Sequence, residues 1–331
     1  MDNIDYCVEQ ALIGCNLDRK AIHEYLASDP PKRARGEIVL SAKNGNLKWR
    51  WRLKQQPSLP RTKRMPDLVK RWRKWRPWYK KIVAKNPHWD IDLVLYTGDM
   101  PHEDDSAPVM SICSFGVGSQ NIPVPTWDDR AAVKRAKQSK VHWDKKRKQV
   151  NFIGAPRNSS LYHGRPHPRI EFCNWAKGKP GVMAFITNGG KGHTNWEVAK
   201  KGLRVKPRGP MSTKNQLKFR YLLNIDGNST AWYRLPWQMA SNSVCMNLRT
   251  DINSQVGEWY YPLLGKEGIP LPFIWVTQDD ILDIKRDLDR DDERCQEQIR
   301  NSNAFVKTYL SQKSKISYTT KLFEKINSLM K

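Results

Sequence analysis

One pattern recurs along this chain and restricts its architecture more than any composition does. An apolar run breaks into a polar, glycine-bearing loop and then resumes as a helix. The fullest instance is KFRYLLNIDGNSTAWYRLPWQMASNSVCMNL, residues 218–248. Residues 221–225 are apolar enough for a buried strand, and the following Asp-Gly-Asn-Ser-Thr is too long for a two-residue hairpin turn. A helix signal then starts near Arg234. The theme repeats in DIDLVLYTGDMP (residues 90–101), where Asp99 projects from the carboxyl end of a strand, and in VNFIGAPRNSS (residues 150–160), with Gly154 and Arg157. Residues 182–186 and 270–276 read as further strands, and RIEFCNWA, opened by Arg169, as a helix. Strands alternating with helices predict α/β architecture with parallel sheets. In such sheets ligands collect at the carboxyl ends of the strands.

At 331 residues the chain calls for about two domains. The expected division is an N-terminal, acceptor-side domain over 1–148, a ligand-binding domain over 149–310 and a helical tail over 311–331. A hydrophobic share of 39% beside 27% charged residues excludes a disordered chain. The net charge of +25 predicts attraction to polyanions, whether nucleic acid, an acidic membrane surface touched peripherally, or phosphate-bearing ligands, and does not choose among them. The six cysteines include no C-x-x-C pair, which argues against a zinc site or a disulfide framework. The first residues show no basic-then-apolar leader, and no apolar run of about 18 residues occurs. The sequons at Asn158 and Asn228 lie in the ligand loops, where a glycan would obstruct binding. A cytosolic, reducing compartment is the expectation.

Residues 1–27 carry two short amphipathic helix patterns. A hairpin is expected over 38–53, turned at Asn44-Gly45. Residues 61–81, RTKRMPDLVKRWRKWRPWYKK, are the densest basic segment, with Trp72, Trp75 and Trp78 at intervals of three. One reading is a nucleic-acid-binding helix with basic charge between stacking aromatics. The other is an amphipathic helix with core tryptophans and a solvated basic face. Residues 131–148 read as a helix running into a domain connector. Gly189, Gly190, Lys191 and Gly192 lack the spacing of a Walker loop. Thr277, followed three residues later by Asp280, predicts a capping arrangement that opens a long charged helix to about Leu310.

The loops carry the chemistry. In Asp226, Gly227, Asn228, Ser229 and Thr230 a glycine lets backbone amides approach a phosphate, and a helix start favours negative charge. Arg234 on that helix could pair a diphosphate bidentately, with Arg157 and Arg169 as further cations. A departing diphosphate needs its charge neutralised by metal or by arginine. No D-x-D pair of the type used in metal-dependent glycosyl transfer is found, so arginines are expected, with no metal or other cofactor. The plainer alternative is that Arg234 salt-bridges Asp226 and the loop is a connector.

Several ordered blocks then resemble glycosyltransferase family 90, which includes the capsule-associated and Rumi-like enzymes. They are LVLYTGDMP, IPVPTW, FIGAPR with a downstream PRIEF, KFRYLLNIDGNSTAWYRLPWQMASNSV, EWYYPLL and PFIWVTQDDILDIKRDL, in order over residues 90–309. The resemblance implies two Rossmann-like domains facing a cleft (GT-B type), a nucleotide sugar held by the second, inverting chemistry and no metal requirement. It implies Asp99 as general base. The nearby Glu103, Asp104 and Asp105 are rivals by residue type alone, and their clustered, loop-like setting reads more simply as solvated surface. Gly154, Arg157, Arg169, residues 226–230, Arg234 and Ser243 fall to the donor, and Trp127 to the acceptor. A UDP-sugar donor, UDP-xylose or UDP-glucose, and a glycan acceptor are the implied partners. The competing class is a basic nucleic-acid-binding protein acting through residues 61–81, which leaves the strand-end loops unexplained.

Overall fold

The computed structural model describes residues 2–28, 37–52, 66–99, 101–102, 107–116, 118–127, 129–138, 141–156, 167–187, 202–230 and 233–330. Within these, the strands in chain order are β1 (Glu37–Lys43), β2 (Asn46–Trp51), β3 (Asp90–Tyr96), β4 (Val109–Ser111), β5 (Cys113–Ser114), β6 (Asn121–Pro123), β7 (Arg147–Gly154), β8 (Val182–Ile186), β9 (Phe219–Asn224), β10 (Val244–Leu248), β11 (Gly257–Glu258) and β12 (Ile274–Val276). The chain divides into two compact units. The first comprises residues 1–128, 256–263 and 311–331, and the second 129–255 and 264–310.

The first unit holds a mixed sheet of order β2-β1-β3-β4-β6. β1 runs antiparallel to β2 and β3, while β3, β4 and β6 are parallel. The β1–β2 hairpin turns where the sequence places it: Asn44 (φ 49°) and Gly45 (φ 72°) both sit in the left-handed region, as a mirror-image turn between twisted strands requires. The helix Pro66–Ala84 takes up the described part of the basic segment. Trp72, Trp75, Tyr79, Ile82 and Val83 are buried along one stripe, while Arg73, Lys74, Arg76, Lys80 and Lys81 are exposed. Two of the tryptophans are therefore core, which removes the stacking platform that single-stranded nucleic acid would need. Pro77 is tolerated inside this helix because it lies on the exposed face, where water can satisfy the carbonyl it strands. The helix Gln312–Leu329 packs on this helix and on Asn3–Leu12, burying Tyr318, Leu322, Phe323 and Ile326. Residues 311–330 thus share the first unit's core instead of standing apart as a tail.

The second unit is built on a five-stranded sheet of order β12-β10-β9-β7-β8, parallel at every junction. Its strands read as near-continuous apolar runs because both faces are covered. Val150, Phe152, Tyr221, Leu223, Val244 and Met246 pack against Phe172, Cys173, Ile281 and Leu288 of the helices Pro168–Trp175 and Ile281–Arg290. Each such fully buried side chain contributes about 1.5–3 kcal/mol. The helix Arg130–Lys137 packs on Arg234–Met239 and Thr213–Gln216. That packing places the division after residue 128, not at the expected 148. The single long helix expected after Thr277 is two helices, Ile281–Arg290 and Asp292–Thr308. The chain leaves helical geometry at Asp291 (φ −129°, ψ 81°), whose side chain caps the second helix at Arg294 N. All six cysteines are thiols, none joined in a disulfide. None of the described helices is long and apolar enough to cross a membrane.

Candidate functional site

Counting only the strands of the second unit, the sheet order is 2-1-3-4-5. Chain direction across the sheet reverses between β7 and β9, and in doubly wound sheets ligands bind outside the carboxyl ends at that point. The residues there are Gly154 at the end of β7, the 225–230 loop after β9, and the start of the helix Pro168–Trp175.

Arg169 is 6% exposed and joins the two strand ends. Its Nε and Nη2 donate to Ile225 O at 3.1 and 3.0 Å, and its Nη1 donates to Ala155 O at 3.0 Å. Gly154 makes this possible: a Cβ there would lie 2.7 Å from the Phe152 ring and 3.4 Å from Arg169 Cδ. The Arg169 guanidinium lies 6.0 Å from the Phe152 ring centre, and that of Arg234 lies 5.3 Å from the same ring. Two cations therefore stand about one aromatic ring at the switch point, an arrangement that favours an anionic ligand. Arg169 spends much of its fork on main-chain carbonyls. Its contribution is positioning and field more than direct pairing.

The loop after β9 is held from below. Asp226 is fully buried and its Oδ2 accepts from Thr250 Oγ1 at 2.9 Å, tying the ends of β9 and β10 together. Gly227 N donates to Ser229 O at 2.8 Å, so this amide closes a local turn within the loop. Ser229 and Thr230 are buried, and Asn228 half-buried. The helix beginning at Arg234 has only six residues, Arg234–Met239, with no side-chain cap. Its dipole is correspondingly small, and the arginine is the main source of positive charge.

His167 went unnoticed in the sequence. It caps the helix Pro168–Trp175, its Nδ1 accepting from Arg169 N at 3.1 Å while Nε2 lies 3.2 Å from Gly227 O. Since Nδ1 accepts and the carbonyl cannot donate, the proton sits on Nε2. One imidazole thereby joins the Arg169 helix to the Gly227 loop. The signal was available: His-Pro-Arg places proline at the first helical position, where it marks a helix start.

Ser243 does not join this group. It precedes β10, at the amino end of the sheet, where its Oγ donates to Phe219 O (2.8 Å) and accepts from Lys146 Nζ (2.7 Å). Five or six residues of strand, roughly 17–20 Å, separate the two ends of a parallel sheet of this depth. Its expected role with the donor is corrected to a structural one, supporting a buried lysine. Arg157 lies outside the described residues, as do Glu103, Asp104 and Asp105.

In the first unit, Asp99 sits just past the carboxyl end of β3, as its sequence context requires. A Cβ on Gly98 would meet the Tyr96 ring at 2.2 Å, so the turn folds directly over that tyrosine. Arg71 Nη2 donates to Asp99 Oδ1 at 2.6 Å. Trp127 is 8% exposed and stacks on Trp78, ring centres 5.1 Å apart and 10° from parallel. One face of the expected acceptor platform is thus occupied by another indole. The chain does contain an Asp-x-Asp pair, Asp90 and Asp92, which qualifies the expectation of none, but it lies at the opposite end of β3 from Asp99. Lys43 Nζ lies 2.9 and 3.0 Å from their carboxylates, and its hydrogen bond holds the Asp90 carboxyl below its ordinary range. Among the described residues no three His, Cys, Asp or Glu side chains converge on a point that could hold a metal ion.

A parallel sheet of this order, with Arg169 and Arg234 at its switch point, defines the second unit as an α/β unit with doubly wound strand order. Residues 80–331 match the model of glycosyl transferase family 90, and the chain belongs to that family. It is also similar to a protein of Invertebrate iridescent virus 6, "Uncharacterized protein 179R", with 26% identity over 119 residues. That likeness covers 35% of this chain and 10% of the viral protein, so the chain spans about a tenth of the relative's length.

Proposed function

We propose that the protein is an inverting glycosyltransferase that moves a sugar, xylose or glucose, from a UDP-sugar to a hydroxyl of a glycan acceptor. The observation that carries the reading is the pair Arg169 and Arg234 at the switch point of the parallel sheet, within a chain of family 90. In this reading the two units are the two Rossmann-like domains of a GT-B enzyme. The acceptor oxygen attacks the anomeric carbon, Asp99 takes the hydroxyl proton, and the bond from that carbon to the diphosphate oxygen breaks with inversion. UDP departs with the bonding pair, its charge met by Arg234 and by the field of Arg169. The arginines stand in for a divalent cation.

A panel of UDP-sugars incubated without acceptor tests the reading. Slow release of UDP from UDP-xylose or UDP-glucose is expected, and it should persist in excess EDTA. A protein that neither binds nor hydrolyses any UDP-sugar would refute the assignment. Loss of turnover in EDTA, restored by manganese, would refute the arginine account and leave the transferase standing.

A further inference from the structure

The basic helix Pro66–Ala84 contributes more than a solvated face. Of its seven lysines and arginines, Arg71 alone is not exposed. Its guanidinium donates through Nη1 to Thr97 O and through Nη2 to Asp99 Oδ1, the latter at 2.6 Å. One rigid planar group therefore grips both the backbone of the turn and the carboxylate that the turn carries. The fork itself is well founded: the Arg71 side chain is 11% exposed, and its neighbour Trp72 is buried in the core. Beyond Asp99 the chain is held again at His102, whose N donates to Asn121 Oδ1 at 2.6 Å and whose O accepts from Asn121 Nδ2 at 2.8 Å. His102 Nε2 lies 2.8 Å from the buried Glu37 carboxylate.

We infer that Arg71 is a positioning residue for the Asp99 carboxylate, fixing its orientation toward the acceptor hydroxyl. This rests on the proposed role of Asp99 as base. The Asp99 side chain is 37% exposed, and at such exposure an aspartate samples several rotamers unless something holds it. A general base must present its oxygen within about 3 Å of the proton it removes, and a displacement of about 1 Å can cost 100-fold. Lysine cannot replace this group, because a single ammonium on a flexible stem does not reproduce the planar fork. Arg71 itself lies outside the residues that match the family model, while Thr97 and Asp99 lie within them.

The test is a mutant cycle on the full chain, read as kcat for transfer and as affinity for UDP. Arg71→Ala should lower kcat by about 10-fold or more while UDP affinity stays within about twofold. Arg71→Lys should recover only part of the loss, and millimolar guanidinium should partly restore Arg71→Ala. On an Asp99→Asn background, which alone should be slowed about 100-fold, Arg71→Ala should cost nothing further. Asp99→Asn turning over at near the wild-type rate would overturn the base assignment and this inference with it. A slow Asp99→Asn beside a fast Arg71→Ala would overturn the inference alone. So would losses that multiply in the double variant, since a purely structural role is additive. If Arg71→Ala fails to fold, Arg71→Lys and Arg71→Gln carry the same cycle.

Discussion

Arg169 and Arg234 sit about one phenylalanine and look interchangeable in the sequence, yet the structure divides their work. Arg169 is buried with its fork on the carbonyls of Ala155 and Ile225, so its removal leaves polar main chain without donors. Arg234 opens a short helix at the same edge and is half-buried. Arg234→Ala should therefore weaken UDP binding by about 2–3 kcal/mol, the scale of a lost charge-assisted contact, with little change in melting temperature. Arg169→Ala should lower the melting temperature as well. Calorimetry and thermal denaturation of the two variants separate these outcomes, and equal UDP affinity in wild type and Arg234→Ala would remove Arg234 from the donor site. His167 belongs to the same layer of explanation, since it works by joining the start of the Pro168–Trp175 helix to the Gly227 loop.

Short local signals are legible in this sequence, and long ones less so. The Asn44-Gly45 turn, the strand Val182–Ile186 and the Thr277–Asp280 cap depend on neighbours in sequence, and each is present. Thr277 N donates to Asp280 Oδ1 at 2.7 Å, and Asp280 N to Thr277 Oγ1 at 3.2 Å, a reciprocal cap ahead of the helix Ile281–Arg290. Thr277→Ala should cost about 1 kcal/mol, read as a lower urea midpoint at unchanged slope. An unchanged midpoint would mean that Ile281 and Leu288, packed in the core, hold that helix without the cap. The break at Asp291 leaves no mark in the sequence because the charge pattern continues across it. An aspartate can cap a helix or lie within one, and only packing on both sides chooses.

The stability of the whole molecule depends on a charge-bearing group buried in its second unit. Lys146 is 4% exposed, with Nζ donating to Leu217 O and Ser243 Oγ, and burial pushes its ammonium down to about 7 from an ordinary 10.5. Between those values the unfolded chain binds the extra proton and the folded chain does not. Stability must therefore rise with pH from about 7 toward 10.5, while the full penalty is present below 7. The shift corresponds to a few kcal/mol at most. Urea denaturation from pH 6 to 10 should show this rise in the wild type and a flatter profile in Lys146→Met. Parallel profiles in the two proteins would mean that Lys146 titrates as an ordinary surface amine.

Residue pattern alone settled the alternation of strand and helix, the carboxyl-end loops, the position of Asp99 and the family, because each follows from period, turn chemistry or short motifs that neighbouring residues determine. Contacts between distant parts of the chain settled the rest. The sheet order that makes a switch point between β7 and β9 depends on which strands pair, and pairing leaves no mark within a single strand. Ser243 resembled a site residue in the linear order, yet it falls at the wrong end of the sheet once β9 and β10 are aligned in parallel. The grip of Arg71 on Asp99 joins positions twenty-eight residues apart. A basic run reads the same whether its arginines face water or a carboxylate, and only folding brings the one that matters to its partner.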